Sequence, residues 1–307
     1  MKILKNNIIL IDTSYISFYR FFATLKWYKL ANPEICKKLD LQNYNWIENE
    51  EFMDKYNKMY LESIRKIIST KIYNDSFIIF CMDTPKEQVW RTKLQDTYKQ
   101  EREDLTLKYN FKPVLKYTFK KLIPKILSES NVIVSFRFKH LEADDIIGII
   151  ADYIRDKNIY IISGDTDFYQ LGRRNLYFIS FKIFKGCKLL QDSSSRVLIS
   201  DLNSIANYGK LSKNKKILEL NELEAKLLLK IKILLGDKSD FISAVLPSNM
   251  SSKFKKNLIE SDDLLNEYLD NNKEIKKKYL LNRKMIDFNF IPNDLKLIII
   301  NHIKKLL

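Results

Sequence analysis

Three apolar, β-branched runs in this 307-residue chain each lead to an aspartate. Asn7–Ile11 reaches Asp12, Phe77–Met82 reaches Asp83, and Ile159–Ser163 reaches Asp165 across a single glycine. Short continuous apolar runs of this kind read as strands buried on both faces. Val132–Phe136 and Leu176–Ser180 read the same way, and helical patterns, clearest at Tyr56–Ile68 and Ile146–Ile154, lie between the runs. The alternation predicts an α/β fold with a mostly parallel central sheet flanked by helices. Sites in open parallel sheets lie off the carboxyl ends of the strands, so the three aspartates are expected together on one edge.

More carboxylates join them. Glu142-Ala-Asp144-Asp145 precedes a helical run, Ser163-Gly-Asp165-Thr-Asp167 follows a strand, and Gly236-Asp237-Lys-Ser-Asp240 follows another helical run. Singly, each has an ordinary explanation. Asp12 and Asp83 suit turns, Glu142–Asp145 suits an acidic first helical turn, and Asp167 suits a helix cap. Jointly they gather in a chain whose formal charge is +15. Carboxylates packed together repel and resist desolvation, so such a set calls for a cation. An all-oxygen donor set suits a hard ion such as Mg²⁺ or Mn²⁺, whose common chemistry is phosphoester cleavage. The basic remainder favours a polyanion, nucleic acid first, although lysine-rich coding from an AT-rich genome also contributes.

Other classes fall away. Cys36, Cys81 and Cys187 are few and widely spaced, and His140 and His302 are the only histidines, which argues against a disulfide framework, a zinc centre and a histidine triad. Asp12 interrupts the N-terminal apolar run, so no signal peptide is expected, and no stretch approaches a membrane span. A reduced, soluble, cytoplasmic protein is the expectation. Beyond about Cys187 the chain turns polar over Leu189–Lys216. Helical patterns then follow at Glu222–Leu235, Lys253–Ile259, Leu264–Tyr279 and Leu295–Leu307. The expected division is a catalytic α/β domain over 1–187 and a smaller, mainly helical lobe over 188–307. Trp90–Arg102 mixes cations with aromatics immediately beyond the Phe77–Asp83 strand, which hangs it over the acidic edge.

In this order and near this spacing, the motifs resemble those of the metal-dependent 5′-nucleases, the flap endonucleases and 5′–3′ exonucleases with a PIN-like core. The matching residues are Ile9-Leu-Ile-Asp12, Phe80-Cys-Met-Asp83, Trp90-Arg91 with Tyr98-Lys99 and Arg102, Glu142–Asp145, Ser163–Phe168 and Gly236–Asp240. The segment Met285–Pro292 is similar to the T-even phage ribonuclease H type within that family. The resemblance implies two Mg²⁺ (or Mn²⁺) ions. Asp12, Asp83, Glu142, Asp144 and Asp145 would surround the inner one with Asp165 shared, and Asp167, Asp237 and Asp240 would hold the outer one. It implies a helical arch over about 84–113, with Arg91 and Lys99 at the scissile phosphate, Tyr98 stacked on an unpaired base, and Arg102 on the strand. Asp12, Asp83, Asp145 and Asp165 join Arg91 and Lys99 as the catalytic candidates.

The implied substrate is DNA with a 5′ single-stranded end or flap, or an RNA–DNA hybrid, cleaved in replication or repair. The implied protein is a monomer in the cytoplasm, that of a host cell if the source is viral. A single-strand-binding protein or sliding clamp is the candidate partner. In the family the Gly-Asp-x-x-Asp element leads into a glycine-bearing hairpin that grips duplex DNA through potassium. Here Gly236 is the last glycine, so a degenerate helix-hairpin-helix-like element is expected, with Lys253, Lys255 and Lys256 meeting phosphates. The alternatives are a PIN-like ribonuclease acting on single-stranded RNA and a catalytically silent DNA-binding scaffold.

Overall fold

Strand β1 (Asn7–Asp12) is buried along nearly its whole length, and its side chains divide by parity between two cores. Ile8 and Leu10 enter one core, Ile9 and Ile11 the other. β2 (Ser76–Cys81) divides the same way, with Phe77 and Ile79 on the first side and Ile78 and Phe80 on the second. This two-residue period across a sheet covered on both faces is why the runs lack polar alternation. A computed structural model describes residues 5–96, 98–99, 109–182, 210–213, 216–237 and 240–307.

Among the described residues, β3 (Ile133–Phe136), β4 (Asn158–Ile162) and β5 (Leu176–Ile179) complete five parallel strands in the order β3-β2-β1-β4-β5. The order reverses between β1 and β4. From β1 to β3 the chain steps outward one way, with α1 (Thr13–Ala31) and α3 (Glu50–Ile68) packed on the Ile9 face. It then returns to lay β4 on the other side of β1, and the connecting helix α7 (Ala143–Tyr153) packs on the Ile8 face. α2 (Pro33–Lys38), α4 (Thr70–Asn74), α5 (Phe111–Tyr117) and α6 (Ile123–Ser128) fill the first half of the chain. A reversal of strand order opens a crevice at the carboxyl ends of the two strands that flank it. The flanking strands here are those that lead into Asp12 and Asp165.

The five predicted strands are present within a residue or two, and the fold is α/β with a mostly parallel, PIN-like sheet. Three features differ from expectation. β6 (Lys210–Leu211) and β7 (Ile217–Glu219) extend the same sheet antiparallel beyond β5, so the polar stretch before Asn221 carries sheet structure. The expected helix Leu264–Tyr279 is two helices, α10 (Asp262–Asn271) and α11 (Lys273–Ile286). Asn272 breaks it, because its side-chain amide donates to the Tyr268 carbonyl (2.7 Å) in competition with the helical ladder. Finally, α12 (Asn293–Lys304) packs on α7, and Leu295, Ile299 and Ile303 share the core of Ile146 and Ile150. α8 (Glu222–Leu235) adds Leu228 and Ile233 to that core. A smaller cluster of Leu234, Val245, Leu246, Leu258 and Leu265 lies under α9 (Ser252–Glu260) and α10. The domain boundary expected at 187 falls outside the described residues.

Candidate active site

Two helix N-termini meet at the crevice, each capped by an aspartate from the end of a strand. Asp12 ends β1 and accepts from the Tyr15 amide at the start of α1 (3.0 Å). Asp83, just past β2, accepts from the Ala143 amide at the start of α7 (2.9 Å) and from the Ser14 hydroxyl (2.6 Å). Ser163 binds the other Asp12 oxygen at 2.9 Å. The positive ends of two helix dipoles therefore face the neighbouring carboxylates Asp12 and Asp83, which suits an anionic site. Dipoles alone do not offset the crowding. Burial and the neighbouring Asp83 push the Asp12 carboxyl up to about 7. Burial, Asp165 and Asp12 drive Asp144 well above the ordinary carboxylate range. Asp12, Asp83, Asp144 and Asp165 thus form a frustrated group of like charges.

Glu142 and Asp145 have a different character. Glu142 accepts from Lys99 Nζ (2.7 Å), Arg91 Nη1 (3.0 Å) and the Tyr98 hydroxyl (3.0 Å). Burial disfavours its charge, but Lys99 and Arg91 outweigh that and hold the carboxyl down at about 2. Asp145 is fully buried, accepts from Trp90 Nε1 (3.0 Å) and the Glu142 amide (3.1 Å), and lies 2.8 Å from Arg91 Nη1. These two acids are already neutralised by the chain.

The outer acids form a second group. Asp165 caps the 3₁₀ turn Thr166–Leu171 through the Asp167 amide (2.9 Å) and presents the more open carboxylate, its side chain 34% exposed against 16% for Asp167. Asp237 and Asp240 sit on a tight turn after α8. The turn is closed by reciprocal bonds between Asp237 and Ile242 (2.8 Å each) and needs positive φ at Gly236 (+71°) and Phe241 (+60°). Past Gly236, the last glycine, it is Phe241 that takes this conformation. One oxygen from each of Asp167, Asp237 and Asp240 lies within 4.8 Å of the others. Lys232 stands among them, its Nζ 2.9 Å from Asp237, in contact with Asp167 and 3.9 Å from Asp165.

Arg91 and Tyr98, expected at the substrate, are both buried in this structure. Arg91 is 3% exposed and donates Nε–H to the Met285 carbonyl (2.7 Å) while pairing with Glu142 and Asp145, so it ties the acidic helix to the Met285–Pro292 segment and presents nothing to a phosphate. Tyr98 is likewise 3% exposed, with its hydroxyl on Glu142 and 3.3 Å from Asp240, so its ring offers no face for a base. Both are drawn inward by the carboxylates whose charge they satisfy. Lys99 remains at the mouth, its side chain 13% exposed. Burial disfavours its charge, but Glu142 and Asp240 outweigh that and raise it well above the usual lysine range.

Lys253 is exposed at the start of α9, and Lys255 and Lys256 are half-buried there, engaged with the Ser248 carbonyl and Glu260. Arg102 lies outside the described residues, as do residues 97, 100–101 and 103–108 of the expected arch. Sequence reasoning missed Ser14, Thr166 and Lys232. Only Lys232 carried a signal. Ala225, Leu228 and Lys232 follow a helical core stripe, and a lysine on such a stripe has to meet carboxylates.

The donor chemistry fits hard divalent cations. The carboxylates at the crevice offer only oxygen donors, and the raised Asp12 and Asp144 are relieved by positive charge. A doubly wound sheet with carboxylates concentrated at its switch point defines the class as a PIN-like acidic-site protein. The family model for the 5′-3′ exonuclease N-terminal resolvase-like domain matches residues 7–193, and the chain belongs to that family. A 5′-3′ exonuclease of Mycoplasmopsis pulmonis is 27% identical over 213 residues, 69% of this chain and 59% of the relative, so the chain spans about three fifths of that protein's length. Among solved structures, the T5 5′-exonuclease with bound zinc ions superposes with a TM-score of 0.57 at 15% identity, covering 98% of this chain and 99% of that one. The bacteriophage T5 flap endonuclease in complex with DNA and metal ions gives 0.56 at 14%, covering 98% of each.

Proposed function

We propose that this chain is a divalent-metal-dependent 5′-nuclease that hydrolyses phosphodiester bonds near 5′ ends or flaps of DNA. The observation that carries the reading is the convergence of Asp12, Asp83, Asp144 and Asp165 at the switch point, with Asp12 pushed up to about 7 by its surroundings. A hard cation bound there would lower the pKa of an attacking water and neutralise charge on the phosphate. Asp12, Asp83, Asp144 and Asp165 would hold the inner of two Mg²⁺ or Mn²⁺ ions, and Asp167, Asp237 and Asp240 the outer. Glu142 and Asp145, already paired with cations of the chain, shape the site rather than charge it.

Lys99 takes the phosphate role. Its side chain is less buried than those of Arg91 and Lys232, and it reaches into the crevice beside Glu142. Its ammonium would meet the non-bridging oxygens, where negative charge grows in the transition state. The amino ends of α1 and α7 orient the same anion. The family, the DNA complex of the T5 flap endonuclease and the formal charge of +15 support a DNA substrate. Removal of 5′ flaps or RNA primers during replication or repair is the process this activity would serve.

A duplex bearing a 5′ flap, labelled at each end in turn, tests the reading with Mg²⁺, with EDTA, and with Asp165→Asn protein. Metal-dependent cleavage near the junction, lost in the variant, is the expected result. Tight binding without cleavage would replace the reading with that of a silent scaffold, and cleavage confined to single-stranded RNA with that of a ribonuclease.

A further inference from the structure

Among the described residues, Lys232 is the cation that lies between Asp165, Asp167 and Asp237. Its side chain is 6% exposed, and its ammonium touches Asp167, lies 2.9 Å from Asp237 and 3.9 Å from Asp165, and donates to the Thr166 hydroxyl (3.3 Å). Two of these acids, Asp167 and Asp237, belong to the trio whose oxygens converge within 4.8 Å. A divalent ion ligated by them would sit roughly 2.0–2.6 Å from their oxygens. That space overlaps the ammonium. Two cations at such separation repel strongly in a partly desolvated site, so occupancy is exclusive.

We infer that Lys232 is the resident cation of the outer carboxylate group, and that a divalent ion binds there only by displacing its ammonium. The inference rests on the proposed metal-dependent reading and adds an order of events to it. The direction of exit is set by packing. The cavity that Lys232 lines with Tyr169, Leu228 and Ile286 is about 10 Å³, room for about one water and not for a retreating side chain. The open side is that of Asp165, the more exposed carboxylate. The lysine stem is unbranched and flexible, so the head can swing out while the helix stays fixed. Among the described residues no lysine or arginine forms an ion pair with the inner acids Asp12 and Asp144, so an ion arriving there displaces no resident cation. The inner ion therefore binds first, and the outer ion bears the cost of breaking the Lys232 pairs.

Lysine acetylation of the DNA-free full chain, read by mass spectrometry with and without saturating Mg²⁺, tests the displacement in the wild type. Labelling of Lys232 should rise several-fold on metal binding, while exposed Lys226 on the same helix stays constant. Mn²⁺ titration followed by electron paramagnetic resonance then compares wild type with Lys232→Met. Removing the competitor should tighten the second ion by roughly tenfold or more, because its site is no longer taxed by an occupied state. Two ions bound with Lys232 still protected, or a second-ion affinity unchanged in the variant, overturns the inference and leaves the nuclease reading standing. Absence of any bound ion in either protein sinks the metal-dependent reading itself. Should Lys232→Met fail to fold, the wild-type labelling decides alone.

Discussion

Replacing Arg91 separates a phosphate contact from an internal counter-ion. Its side chain is 4% exposed and satisfies three acceptors, Glu142 at 3.0 Å, Asp145 at 2.8 Å and the Met285 carbonyl at 2.7 Å. Arg91→Met keeps the volume and removes all three. Glu142 retains Lys99 and Tyr98, but fully buried Asp145 keeps only Trp90 and a backbone amide. Removing one partner of a buried ion pair costs about 3–5 kcal/mol. Arg91→Lys keeps the charge but loses the Nε–H and the forked geometry, an expected loss of about 1–3 kcal/mol. Urea unfolding in EDTA, followed by circular dichroism, measures both. A further signature is pH. Protonated Asp145 needs no counter-charge, so the Arg91→Met deficit should shrink at pH 5 relative to pH 8. If Arg91→Met unfolds within about 0.5 kcal/mol of wild type and instead loses flap affinity, the counter-ion argument is wrong and the phosphate contact is restored.

Without metal, stability should fall as pH rises from about 4 to 7. Asp12 keeps its proton to about 7 in the folded chain against an ordinary 3.8, so the native state holds a proton that the unfolded state has lost, a difference of at most ~4 kcal/mol. Melting in EDTA across this range measures it, and the shift in Tm on adding Mg²⁺ should be larger at pH 8 than at pH 5; a flat profile contradicts the repulsion argument. Gly236→Ala places a Cβ 2.3 Å from the Ile242 carbonyl at φ +71°, so a loss of about 1–3 kcal/mol is expected with weaker outer-ion binding, both absent if the Asp237–Asp240 turn is not strained. Lys99→Ala should slow single-turnover cleavage by about 10²-fold while flap affinity changes less; lost binding at a normal rate removes Lys99 from the chemistry.

Position was readable from the chain because period and topology are local rules. Apolar runs ending at Asp12, Asp83 and Asp165 could only be parallel strands, and parallel strands put their carboxyl ends on one edge. Direction of burial was not readable. Arg91 and Tyr98 sit in a stretch without an apolar face, so nothing local says that both turn inward; Glu142, Asp145 and Asp240, 40 to 150 residues away, pull them there. The break at Asn272 was hidden for a similar reason. Its side-chain amide takes the Tyr268 carbonyl in competition with the helical ladder, a choice the helical periodicity of Leu264–Tyr279 does not reveal.

Arg91, Lys232 and Lys99 differ in how they can be replaced, and that difference orders the chemistry. Arg91 is always charged, bonded on three sides and tied to Met285, so it is permanent scaffolding for Glu142 and Asp145. Lys232 is buried on carboxylates and the Thr166 hydroxyl, with an open exit past Asp165, so a stronger cation can take its place. Lys99 sits at the mouth on a residue with φ +53°, bonded to acids on two different elements, Glu142 and Asp240. An incoming phosphate competes directly with those acids for its ammonium. Metal arriving at the outer group weakens the hold of Asp240 on Lys99, because a carboxylate that ligates a dication has less charge to offer an ammonium. Filling the outer site would then free Lys99 for the phosphate. In Lys232→Met protein, Lys99-dependent flap binding should accordingly saturate at lower Mn²⁺ than in wild type, and identical Mn²⁺ dependence would show that the two sites act independently.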